Sequence, residues 1–93
     1  TELVKIFLDD YPNSMTAIED AVARQDSPLL ERAAHTLKGA VANFGADAVV
    51  KEAFELERQG RSGDLSHASE NLNRLHEVIR KLDYELRPIA EHA

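Results

Sequence analysis

A chain of 93 residues makes one domain at most and leaves little room for a catalytic cleft. With 17 acidic against 11 basic residues and a net charge of −6, its composition argues against nucleic acid or an anionic membrane surface as a partner. No cysteine is present to form disulfides or thiolate metal sites, and no run approaches the ~20 apolar residues of a bilayer span, so a reducing cytoplasm is the expected setting.

The first segment, from about Glu2 to Arg24, carries Leu3, Phe7, Tyr11, Met15, Ile18 and Val22 at steps of three and four, which makes one helical stripe. Pro12 interrupts it. With Asp10 or Tyr11 as a cap, Pro12 fits the first turn of a second helix, so the pattern predicts a short N-terminal helix followed by a longer one, or one kinked helix. Gln25 to Ser27 form a polar turn in which Ser27 is a good N-cap with Pro28 behind it. The next helix is expected to run to Phe44, with Leu30, Ala33 or Ala34, Leu37, Val41 and Phe44 inward and Gly45 as its left-handed stop. A third helix follows from Ala46 or Asp47 to Gln59, with Val49, Ala53 and Leu56 inward and Gly60 as its stop. The last begins at Asp64 and carries a heptad seam from Leu65 to Ile89, with Pro88 set to kink or end it. The seam alone also suits a coiled-coil dimer. The Gly-bearing turns favour an all-α, antiparallel up-down four-helix bundle with a short N-terminal helix, occupying residues 1–93 as a single domain.

Chemistry concentrates in the second helix. His35 lies two residues before the core residue Leu37, about 200° round the helix, and so faces outward. Lys38 and Gly39 stand three and four residues on, one turn away on the same face, and Ala42 and Asn43 continue it. An imidazole is nucleophilic when neutral, and its unperturbed pKa of about 6.5 leaves much of it ready at cellular pH. An ammonium one turn away can offset the charge of a phosphoryl group carried on the ring. Glycine inside a helix costs about 0.5–1 kcal/mol against alanine. This helix uses alanine at 33, 34, 40 and 42, so a steric demand for free space is the simplest reason for Gly39.

The run Ala34-His35-Thr36-Leu37-Lys38-Gly39-Ala40-Val41-Ala42-Asn43-Phe44-Gly45-Ala46 resembles the signature of histidine-containing phosphotransfer domains of two-component phosphorelays. The segments Phe7 to Pro12, Ala21 to Asp26, and Leu56-Glu57 with Gly60 to Leu65 resemble the same family. The resemblance implies that His35 is the phosphoacceptor through Nε2, that Lys38 contacts the phosphoryl oxygens and that Gly39 clears space. Arg32, Ala42 and Asn43 are then the expected partner-binding residues. The implied partner is a response-regulator receiver domain, which brings Mg²⁺ and a phosphoaspartate. The chain itself shows no nucleotide-binding loop and no carboxylate cluster placed to hold Mg²⁺. Hence the expectation is a phosphocarrier with no cofactor or metal of its own and no kinase activity, monomeric, cytoplasmic, without membrane contact and fit to serve inside a larger sensor kinase. Glu31 and His35 have a metal-ligand spacing, but no second pair completes a site, and His67, His76 and His92 read as surface residues. A helical interaction module without chemistry is the competing expectation.

Overall fold

A computed structural model describes residues 2–91, which form four helices: α1 (Glu2–Arg24), α2 (Ser27–Val41), α3 (Asp47–Ser62) and α4 (Ala68–Glu91). A single 3-10 turn, Ala42–Phe44, follows α2. Short connections force each helix to run back along the one before it. Each packs on its successor and α4 closes on α1, giving an up-down antiparallel bundle of 42 × 18 × 17 Å. Ile18, Leu30, Leu37, Val41, Val49, Leu56 and Leu75 lie fully buried at its centre, drawn from all four helices.

The separate short N-terminal helix does not form. α1 runs unbroken through Pro12, whose missing N–H forfeits one bond to the preceding turn. Continuity wins because residues on both sides of Pro12 bury into one core. Val4, Phe7 and Leu8 precede it and Met15 and Ile18 follow, while Pro12 faces solvent. Tyr11 bridges the junction: it stacks on Phe7 at 5.2 Å and donates its hydroxyl hydrogen bond to Asp83 of α4. Leu3, expected inward, is exposed, and Val4 takes the buried position instead.

α1 ends with Gln25 in the left-handed region at φ 55°. The Asp26 N–H returns to Ala21 O at 2.9 Å and the Gln25 N–H to Val22 O at 3.2 Å, the paired bonds of a Schellman motif. Asp26, not Ser27, then caps α2, its carboxylate accepting from the Leu29 N–H at 3.2 Å. α2 stops at Val41, three residues short of Phe44, and Gly45 ends the 3-10 turn at φ 62°.

Gly60 is not a stop. α3 passes through it and ends at Gly63, φ 84°. The reason lies in packing: a Cβ at Gly60 would stand 2.5 Å from Glu31 N and 2.9 Å from Ser27 O, both backbone atoms of α2. Gly60 therefore sets how closely α3 meets the start of α2. α4 starts at Ala68 rather than Asp64, because the Asp64 carboxylate closes a local turn on the Ser66 N–H instead of capping a helix. It continues past Pro88 to Glu91, with Ile89 exposed. Ala68, Leu75, Ile79 and Leu86 of the heptad seam are buried in this bundle. Among the described residues no helix is long and apolar enough to cross a membrane.

Candidate functional site

The middle of α2 presents His35 outward, as its spacing from Leu37 requires: the His35 side chain is 66% exposed and Leu37 is fully buried. Its neighbour across the helix contact is Glu57 of α3. Nδ1 of His35 lies 2.9 Å from Glu57 Oε2. The Glu57 side chain is only 5% exposed, so this is a surface imidazole standing on a buried carboxylate.

Three cationic or protonatable groups meet on that carboxylate. The Lys38 ammonium is 2.7 Å from Oε1, as a close ion contact rather than an aligned hydrogen bond. Arg61, one turn after Glu57 on α3, places Nη2 3.1 Å from Oε2 and Nε 2.9 Å from Oε2 of Glu31 on α2. The Lys38 ammonium holds the Glu57 carboxyl below the usual carboxylate value, against the opposing effect of burial, and His35 adds to the lowering. A buried carboxylate kept ionised in this way is a strong acceptor for an imidazole N–H.

The consequence for His35 is tautomeric. With a carboxylate at Nδ1, the neutral ring keeps its proton there and exposes the Nε2 lone pair. When Nε2 forms a bond to an electrophile, the ring gains positive charge, and the Glu57 carboxylate is already in place to stabilise it.

The other expected residues fall around this centre. Gly39 is exposed one turn from His35, and a Cβ built there would meet nothing within 4 Å. Close helix packing therefore does not explain that glycine. Lys38, expected on the exposed face with His35, is half-buried: its ammonium lies 5.2 Å above the Phe54 ring as well as on Glu57. Arg32, Ala42 and Asn43 are all exposed, Arg32 one turn before His35 and the other two in the 3-10 turn that follows α2. A shallow groove next to them runs between α1 and α2, lined by Leu3, Ile6, Thr36, Ala40 and Asn43.

Glu57 and Arg61 were the residues missed as site members. A signal for Glu57 was present. It falls four residues after Ala53 and three before Gly60, on the buried side of α3, where a lone carboxylate needs a partner. Glu31, paired with Arg61, is not free for the metal-ligand role its spacing suggested. His67 and His76 are exposed and pair with Glu70 and Glu19. His92 lies outside the described residues.

Comparison with known proteins gives a consistent result. A family model described as Hpt domain matches residues 2–85. The chain is similar to the phosphorelay protein LuxU of Vibrio cholerae, at 33% identity over 82 residues, covering 85% of this chain and 70% of that protein. The LuxU of Vibrio vulnificus is 29% identical over 80 residues, 82% of this chain and 70% of that one. Among solved structures, histidine-containing phosphotransfer protein B of Pseudomonas aeruginosa superposes with a TM-score of 0.92 at 22% identity. That match covers 98% of this chain and 79% of the other, a likeness of fold.

Proposed function

The chain belongs to the Hpt domain family, and from that membership we propose that it relays phosphoryl groups between receiver domains on His35. As a member of this family it is a phosphorelay intermediate of two-component signalling, with receiver domains as partners. The observation that carries the assignment of His35 is its Nδ1 bond to the buried Glu57, which leaves an exposed Nε2 as nucleophile.

In the reading we favour, Nε2 attacks the phosphorus of a receiver phosphoaspartate. The N–P bond forms as the P–O bond to the aspartate breaks, and the carboxylate leaves. The Nδ1 proton stays on the ring, shared with Glu57, so the phosphorylated imidazolium is held beside an anion. Return to a second receiver aspartate reverses these steps. Lys38 would swing from Glu57 to the phosphoryl oxygens as their charge arrives, a short movement for a flexible four-carbon stem. Gly39 leaves room for the partner's surface over the ring. Arg32, Ala42 and Asn43 border the docking face. Mg²⁺ belongs to the receiver in this reading, because Glu57 and Glu31 are both engaged by Arg61. The domain has no kinase activity of its own, acts as a monomer, and works in the cytoplasm, alone or within a sensor kinase.

The isomer of the phosphohistidine is a direct test. Protein phosphorylated by a loaded receiver is divided: one portion is cleaved by protease to locate the phosphorylated peptide, and the other is hydrolysed fully in base and its phosphohistidine separated into Nε2 and Nδ1 forms. Phosphate in the peptide containing His35, and the Nε2 form, are expected. The Nδ1 form, or phosphate on His67 or His76, would overturn the assignment.

A further inference from the structure

Arg61 has no part in the phosphoryl path above, yet it holds the group on which that path depends. Gly60 lets α3 approach the first turn of α2, and the next residue, Arg61, spans the two helices. Its Nε meets Glu31, one turn before His35, at 2.9 Å. Its Nη2 meets Glu57 Oε2 at 3.1 Å, the same oxygen that holds His35 Nδ1. Lys38 pulls on the other oxygen at 2.7 Å. Without Arg61, Lys38 would be the one full cation on the Glu57 carboxylate, free to turn it away from the ring.

An ion pair at a guanidinium that is 64% exposed adds little to stability. Orientation is what a planar fork contributes: two donors in fixed geometry, one anchored on α2 through Glu31 and one aimed at Glu57. We propose that Arg61 is a positioning residue for His35. By bracing Glu57 Oε2 against Nδ1, it keeps the ring in the Nδ1–H tautomer with the Nε2 lone pair outward. The kinetic consequence rests on the proposed role of His35; the tautomeric one does not.

Nitrogen-15 NMR of the imidazole reads the tautomer directly, in the wild type, Arg61→Ala, Arg61→Lys and a Glu57→Gln reference. The wild type is expected in the Nδ1–H form and Glu57→Gln in a mixture. Arg61→Ala should move toward the mixture, with Arg61→Lys between, and circular dichroism should show all four folded. At saturating phosphorylated receiver, transfer to Arg61→Ala should slow roughly tenfold, the effect of losing one charge-assisted hydrogen bond. The receiver concentration at half-maximal rate should stay nearly unchanged. A wild-type tautomer in Arg61→Ala would overturn the proposal. So would a change confined to the half-maximal concentration, which would make Arg61 a docking residue. Absence of transfer to the wild type would instead remove the phosphorelay reading of His35 and leave the tautomer measurement to decide the role of Arg61.

Discussion

Gly39 and Gly60 occupy facing helices and answer opposite demands. Gly60 lies against the backbone of α2, so Gly60→Ala must push the helices apart or displace Glu31. A loss of about 1–3 kcal/mol, the usual cost of overpacking, is expected in thermal or denaturant unfolding. Gly39 has open space around it, so Gly39→Ala should preserve stability or raise it by up to about 1 kcal/mol while slowing transfer. A fall in melting temperature for Gly39→Ala would contradict that separation of roles. Lys38→Ala removes the nearest cation from Glu57, and with it the group proposed for the phosphoryl oxygens. It should slow transfer and also cost stability, which a purely exposed lysine would not. Glu57 adds a signed pH dependence. Its folded carboxyl titrates below 4.5, so its contribution to stability is complete above the unfolded value and lost as pH falls through the lowered folded one. Acid titration of unfolding in Glu57→Gln should lack that component.

At the scale of elements, the helices were legible because their apolar steps of three and four are unambiguous, and the outward placement of His35 and Gly39 followed from the face away from Leu37. Boundaries were less legible where two signals competed. Pro12 and Pro88 spoke for breaks, yet both lie on exposed positions; buried residues of α1 continue past Pro12, and past Pro88 only the last turn of α4 remains. Gly60 and Gly63 are both plausible stops in sequence. Only the proximity of α2 shows which one is needed for packing. The inward position of Glu57 was legible, but its partners were not, since Lys38 and His35 belong to another helix. The turn after α1 offers a test of local physics. Gln25 adopts a left-handed conformation that favours glycine, so Gln25→Gly should stabilise the domain by about 0.5–1 kcal/mol in chemical unfolding. The α1–α4 contact offers another. Burial and the Asp83 hydrogen bond push the Tyr11 phenol up to about 12 from 10.0. Its contribution is complete below pH 10.0 and lost as pH rises through about 12, so Tyr11→Phe should flatten the alkaline limb of the stability profile.

For the molecule as a whole, the proposed relay makes the bundle a packed stand for one imidazole. Its core draws on all four helices, and the polar chain Gln59–Asn71–Glu52–Arg74 fixes the register of α3 against α4. That packing keeps Glu57 aligned beneath His35 while the ring itself stays at the surface for a partner. A helical interaction module would need the fold and the surface but not the carboxylate under the histidine. The most direct measurement mixes the domain with a panel of radiolabelled, phosphorylated receiver domains, beside a His35→Gln variant that keeps the fold. Label is expected on the wild-type chain alone, stable in base and lost in acid. Label on His35→Gln as well, or no transfer from any active donor to the wild type, would contradict a phosphoryl relay through His35.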